Sequence, residues 1–299
     1  MRTQKRFTPD LLERYARLGR GQGTYENYIP WHRVGRSDPA SIGRSHLQVW
    51  RGRQRELLSD KEWVAFLSCT MLPDIVDCRE QFPLRQKYSV HELSIYFPMR
   101  QWPQLPGTLE IARVQQVKHP KVYSAGRSAD WVMTTDLLLT LKRAGCELEL
   151  LAIAIKMDGE ITKERTRQLL AIERQYWLER GVQWLLITPS TYHSLFADAL
   201  RNCVSWSLGA EVDTAAIDYV ALNQEKWAGR SVTDVLSKLA VEFNSYERAQ
   251  RALWQAAWSA RLPLDFRRGW RPHEPIVLIS ESDFWGLNPI ASRRSAWKA

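Results

Sequence analysis

Cysteine is scarce in this chain of 299 residues, with four in all. Cys69, Cys78, Cys146 and Cys203 lie far apart and form no CxxC pair. That excludes a disulfide framework and a structural zinc site, and leaves small packing residues. Long apolar runs are missing too, since no stretch approaches the roughly 18 residues of a membrane span. The opening Met1-Arg-Thr-Gln-Lys-Arg6 leads into polar helical sequence with no apolar signal region. A soluble, cytoplasmic protein without a membrane partner is therefore expected. The glycines of Gly19-Arg-Gly-Gln-Gly23 permit close backbone approach to a ligand. They lack the GKS/T of a phosphate-binding P-loop and follow no strand, which excludes nucleotide binding of that kind.

What the chain has in excess is positive charge, a formal +9, and it sits at the two ends. Residues 1–56 hold 12 Arg and Lys against 5 Asp and Glu, and residues 261–299 hold 7 against 4. The 204 residues between them hold 23 against 24. Arginine grips phosphate with a planar fork, so basic ends point to a polyanion, with a solvated basic arm as the plain alternative.

Pro9 to Leu18 predicts a short helix stopping at Gly19, and an Arg/Ser/Gly-rich stretch over 33–55 includes Gly43-Arg-Ser-His46. Ser59-Asp-Lys-Glu62 opens a second helix with apolar residues at 63, 66, 67 and 71. Residues 75–84 read as a strand edge running into a turn at Pro83. Residues 85–117, with Pro98, Pro103 and Pro106, read as a long irregular insertion without chemistry. Two apolar runs, 131–140 and 148–155, are joined by Lys142-Arg-Ala-Gly145, a hairpin signal. Their near-continuous hydrophobicity places them inside a sheet covered on both faces. Residues 164–180 predict a helix with Leu169, Leu170, Tyr176 and Trp177 on its apolar face and Glu173 pointing the same way. Residues 182–188 return as a strand, and the order of elements gives an α/β sandwich.

Beyond Pro189 the pattern is helical over 191–205, 214–222, 231–243 and 246–261, with Trp254 and Trp258 as core residues. Strand-like pieces follow at 262–266 and 276–279, so a helix-turn-helix or winged-helix module is expected. The tail, Ser292-Arg-Arg-Ser-Ala-Trp-Lys-Ala299, reads as a frayed end or as a peptide that orders on a partner through Trp297.

Three charged residues stand out against this background. Glu62 sits early in a helix, Asp136 lies inside one apolar strand, and Lys156 ends the next. Carboxylates hold Mg²⁺ by oxygen, the metal polarises a phosphate and activates water, and an ammonium stabilises the developing charge. Each residue has a second reading. Ser59 and Glu62 also form a capping box, and Asp136 with Lys156 also makes a structural ion pair, because unpaired buried charge is costly. Glu173 either snorkels at the helix edge or reaches toward Lys156 or a metal.

An ordered set of segments over roughly residues 15–190 resembles the TnsA family, the endonuclease subunits of heteromeric Tn-seven-type transposases. They are Gly19-Arg-Gly-Gln-Gly23, Tyr28-Ile-Pro-Trp31, Gly43-Arg-Ser-His46, Leu57-Leu-Ser-Asp-Lys-Glu62 with Phe66-Leu-Ser68, and Asp77-Cys-Arg-Glu-Gln-Phe-Pro-Leu84. Met133-Thr-Thr-Asp136, Ala152-Ile-Ala-Ile-Lys156 and Glu173-Arg-Gln-Tyr-Trp177 complete the set. The resemblance implies a restriction-endonuclease-like mixed sheet flanked by helices, with a C-terminal, mainly helical winged-helix domain. On that reading residues 1–56 are a basic region packed on or flanking the core and 57–190 are the catalytic domain. Residues 191–285 are the winged-helix-like domain and 286–299 a basic, partner-binding tail.

The resemblance further implies cleavage of the 5′, non-transferred strands at transposon ends. A TnsB-type DDE transposase would cut and join the 3′ ends, and a TnsC-type AAA+ ATPase would be met through the C-terminal region. Carried over by position, Glu62 and Asp136 are metal-binding carboxylates, Lys156 is the catalytic lysine, and the Ile155 carbonyl is a further ligand. Mg²⁺ is the expected cofactor, with Mn²⁺ able to substitute, and Glu173 is an accessory residue near the site. Arg20, Arg44, His46, Arg51 and Arg53 are candidate DNA contacts. One position departs from the pattern: Ala154, two residues before the lysine, replaces the usual glutamine or acid and cannot ligate. This departure favours one rival, a DNA- and partner-binding adaptor with a degraded site; a stand-alone repair or junction nuclease of the same fold is the other.

Overall fold

The computed structural model describes residues 6–41 and 43–298; residues 1–5 of the basic arm, Ile42 and Ala299 lie outside the described residues. The chain divides into two compact units. The first comprises residues 1–63, 74–188 and 297–299, and the second residues 64–73 and 189–296.

In the first unit, α1 (Pro9–Arg17) starts where the Thr8 hydroxyl accepts the Leu11 N–H at 3.2 Å, with proline in the first turn. Its Leu12 and Tyr15 pack on Trp31. The Arg/Ser/Gly-rich stretch ends in a hairpin, β1 (His46–Trp50) and β2 (Arg53–Leu57), turning through Arg51 and Gly52 at φ +46° and +72°. A turn with two positive φ values matches the twist of paired strands. This hairpin escapes a hydrophobicity reading because Arg53 and Arg55 point inward. Arg53 makes a two-pronged pair with Glu80 at 2.6 Å, and Arg55 donates to the Cys78 carbonyl at 2.6 Å.

Helix α2 (Asp60–Thr70) precedes β3 (Ile75–Pro83), the edge of a four-stranded sheet. The order is β3, β6 (Thr134–Lys142), β7 (Leu148–Ile155), β8 (Gln183–Ile187), antiparallel except for the parallel β7–β8 pair. A parallel pair needs a crossover, which α4 (Glu164–Leu178) supplies. Leu137, Leu138 and Leu139 on β6 and Ala152, Ile153 and Ala154 on β7 are all fully buried. Both faces of the sheet are covered, as the continuous apolar runs predict.

Residues 85–117 are more ordered than their prolines suggest. They contain a 3₁₀ turn (Glu92–Ile95) and α3 (Thr108–Val114), and Gly107 is pressed so close that a Cβ there would lie 2.3 Å from the Lys87 carbonyl oxygen. Buried Glu92 takes the Arg180 Nε–H at 2.9 Å and the Tyr176 hydroxyl, tying the segment to the end of α4. A small hairpin, β4 (Lys121–Ser124) with β5 (Arg127–Asp130), completes the unit. Trp297 meets Trp184 edge-on at 5.7 Å. Three cysteines are buried packing residues as expected, whereas Cys146 is exposed in the β6–β7 turn.

The second unit is helical: α5 (Ser194–Ser207), α6 (Thr214–Leu222), α7 (Gln224–Trp227), α8 (Val232–Phe243), α9 (Tyr246–Trp258) and α10 (Glu281–Leu287). Ser231 caps α8 and Ser245 caps α9, each hydroxyl accepting an N–H three residues on. Trp254 and Trp258 are core, and Trp258 donates to the Thr70 hydroxyl at 3.1 Å. The two strand-like pieces meet only in a single antiparallel bridge, Leu264 to Leu278. Pro263, Pro272 and Pro275 remove backbone donors there, which keeps a longer ladder from forming.

Candidate active site

The sheet opens at one point, and the charged residues gather there. Pairing of β6 with β7 ends at Leu137 opposite Ile153, while β7 runs on beside β8 to Ile155. Asp136 lies one residue beyond the last β6–β7 rung. Its carboxylate accepts the Ile155 N–H at 2.6 Å in place of a strand carbonyl. Lys156 follows β7 directly, its own N–H bound to the Ile187 carbonyl at 3.1 Å. Its ammonium donates to Asp136 Oδ2 at 3.2 Å and to the Ile155 carbonyl at 2.9 Å.

Glu62 arrives from the first turn of α2 and is 8% exposed. It does cap that turn: its N–H donates to the Ser59 hydroxyl at 3.2 Å, and its Oε2 accepts the Leu58 N–H at 2.8 Å. Yet it also faces the sheet. Burial first, and then the charge of Asp136, pushes its pKa up to about 7, with Lys156 opposing. Glu173, inward on α4 and 5% exposed, accepts from the Thr135 hydroxyl at 2.9 Å and the Trp184 indole at 3.2 Å. It too is pushed up to about 7, by burial and by Asp136. Burial disfavours the Lys156 ammonium, but Asp136, Glu173 and Glu62 outweigh it and raise the pKa above the ordinary lysine value. The capping and ion-pair readings of Glu62 and Asp136 thus coexist with a shared electrostatic site.

Gln81 is the residue that sequence reasoning passes over. It lies between Glu80 and Phe82, which pair with Leu137 and Thr135, but makes no rung itself and takes φ +49°. Its buried side chain donates to Glu62 Oε2 at 3.0 Å. A left-handed backbone inside a strand is costly for a residue with a Cβ, and such strain clusters at functional sites. Nothing in hydrophobic periodicity marks it; only its place in Asp77-Cys-Arg-Glu-Gln-Phe-Pro-Leu84 hints at a constraint.

A family model described as TnsA-like endonuclease N terminal matches residues 72–189. Over 219 residues, 72% of this chain and 68% of the relative, the sequence is 30% identical to the transposon Tn7 transposition protein TnsA of Escherichia coli. The chain belongs to the TnsA family. Asp136, Lys156 and Glu173 fall inside the span that matches the TnsA-like endonuclease model, and Glu62 lies ten residues before it. The mixed sheet with flanking helices is consistent with a TnsA-like endonuclease fold.

Among the described residues, no three His, Cys, Asp or Glu side chains form a group with metal-holding geometry. Ala154 is fully buried and offers no ligand atom. The donors at hand are the Asp136 and Glu62 carboxylates and the Ile155 carbonyl. Three acids face one lysine, and burial first, with the charge of Asp136 second, holds Glu62 and Glu173 above the usual carboxylate range. That charge imbalance fits a divalent cation, and oxygen donors of this kind suit Mg²⁺.

The candidate DNA contacts fall into two groups. Arg20 is enclosed, bound to Asp38 at 2.8 Å and to the Trp31 carbonyl at 2.9 Å, and Arg53 is enclosed in its pair with Glu80. Arg44 and Arg51 are exposed. Arg44 stands 3.5 Å from Asp60, and His46 bonds the same aspartate at 2.7 Å while stacking on Trp63. No helix among the described residues is long and apolar enough to cross a membrane.

Proposed function

We propose that this protein is the subunit of a heteromeric transposase that hydrolyses the 5′, non-transferred strand at transposon ends, in a reaction dependent on Mg²⁺ or Mn²⁺. The observation that carries the reading is the meeting of Asp136, Lys156, the Ile155 carbonyl, Glu62 and Glu173 where β6 and β7 part. Asp136, Glu62 and the Ile155 carbonyl would hold the metal. When bound, the metal supplies Lewis-acid polarisation of the phosphate and lowers the pKa of water. Lys156 places a permanent positive charge beside the reacting phosphorus, where charge builds as water attacks in line and the P–O bond breaks. Gln81 fixes the Glu62 carboxylate, and Glu173 holds a proton near neutrality beside the Lys156–Asp136 pair.

A TnsB-type DDE transposase and a TnsC-type AAA+ ATPase are the proposed partners, the ATPase meeting the C-terminal region. The helical second unit would serve as the winged-helix-like module, and the basic ends would hold the DNA backbone, which makes binding strongly salt-dependent. The deciding experiment is a strand-nicking assay on transposon-end DNA with both partner subunits present. Asp136→Ala should abolish 5′-strand cleavage while leaving 3′-end joining to the partner. Undiminished 5′ cleavage by that variant would favour the adaptor reading that Ala154 suggests.

A further inference from the structure

Two of the three guanidinium nitrogens of Arg79 on β3 have no hydrogen-bond partner. Its residue is 2% exposed, and both Nε and Nη2 are buried with no hydrogen bond. The guanidinium lies over the rings of Phe82 at 4.7 Å and Tyr96 at 5.5 Å, which stabilises its position but leaves Nε and Nη2 unused. The neighbouring acids are occupied. Asp77 accepts the Tyr25 N–H at 2.8 Å and the Tyr96 hydroxyl at 3.2 Å, and Glu92 is held by Arg180 and Tyr176. A buried cation with open donors is costly, so the fold retains it against its own stability.

Arg79 is among the residues that line an open cleft of about 560 Å³. Arg85, exposed and without an ion pair among the described residues, lines it too, and Gly21 and Gly23 form part of its wall. Those glycines have φ +78° and +86°, and a Cβ would lie 2.1 Å from Pro83 Cγ in one case and 2.3 Å from the Asn27 carbonyl oxygen in the other. The wall can therefore stand this close only as glycine. Two arginines, one of them pre-set by aromatic stacking, make a fork for a planar-faced polyoxyanion.

We propose that the cleft lined by Arg79 and Arg85 binds a phosphate group of the DNA backbone; Arg79 precedes Gln81 by two residues on β3. The inference rests on the nuclease reading, since that reading brings DNA to this face. It is tested without cleavage, so the two can fail separately. Binding of the full chain to a fluorescent transposon-end duplex is measured by anisotropy in EDTA over a salt series. Arg79→Gln and Arg85→Gln should each weaken binding about tenfold and make the salt slope shallower by roughly 0.9 for each phosphate no longer neutralised. The melting temperature of Arg79→Gln without DNA should hold or rise, because a buried cation with open donors is gone.

Unchanged affinity and slope in the exposed Arg85→Gln variant would overturn the proposal whatever happens to the folding of Arg79→Gln. A lowered melting temperature with intact DNA affinity in Arg79→Gln would assign Arg79 to packing alone. Inorganic phosphate provides the second arm. Wild type stabilised by phosphate over chloride at equal ionic strength, with DNA affinity equal in both variants and wild type, would make this a site for free phosphate and overturn the DNA assignment.

Discussion

Replacing Glu62 with glutamine should make the metal-free protein more stable at alkaline pH and inactive as a nuclease. Burial and Asp136 raise the Glu62 pKa from 4.5 to about 7. A carboxyl with a raised native pKa keeps its proton in the folded state while the unfolded chain has lost it. Stability is therefore lost as pH rises from about 4.5 to about 7, and the loss is complete above that window. A difference of some 2.5 units corresponds to about 3 kcal/mol at pH 8. Glu62→Gln escapes that cost but gives up one hydrogen bond, because an amide cannot accept from Leu58, Ser59 and Gln81 together. That loss is about 1 kcal/mol. A net gain of roughly 2 kcal/mol at pH 8 corresponds to a melting point raised by about 4–8 °C for a unit of this size.

Thermal unfolding in EDTA between pH 4.5 and 8.5 reads this directly, and the advantage should vanish or reverse at the acid end. Mg²⁺ should raise the wild-type melting point and not that of the variant, since a ligand stabilises only the state that binds it. Cleavage should fall at least about a hundredfold, the scale for loss of a group that places transition-state charge. If Glu62→Gln is slightly less stable than wild type at every pH and still nicks DNA, Glu62 is a helix cap and nothing more.

Gln81→Ala removes a donor from the Glu62 carboxylate, a hydrogen bond to a charged group of about 1.5–3 kcal/mol. Cleavage should slow about tenfold and its pH profile move to higher pH, because a carboxylate without its donor holds its proton more tightly; an unshifted profile would take Gln81 out of the site. Arg180→Met strips the partner from buried Glu92 and should cost about 3–5 kcal/mol in urea unfolding without changing cleavage per folded molecule. A second change, Glu92→Leu, should restore most of that stability, and failure to do so would mean the pair is not what ties residues 85–117 to α4.

The sequence by itself did not mark the short α7 and α10, but it determined the β6–β7 hairpin, the α4 crossover and helices α5, α6, α8 and α9 of the second unit. Each is written locally, in apolar runs, in a 3.6-residue period, or in a serine three residues ahead of the N–H it caps. It also marked Asp136 and Lys156, because charge inside an apolar strand demands an explanation. Tertiary structure alone decided that Glu62 caps its helix while feeling the charges of Asp136 and Lys156, and that Arg20 and Arg53 are spent in buried ion pairs. It also gave Gln81 a left-handed backbone inside β3 and left two Arg79 nitrogens without a hydrogen bond. The reason is that periodicity reports which way a side chain points, whereas the state of a charge depends on which distant group meets it. Arg53 and Arg79 sit in equally polar stretches. One found Glu80 and the other found aromatic rings, and nothing short of the folded chain distinguishes them.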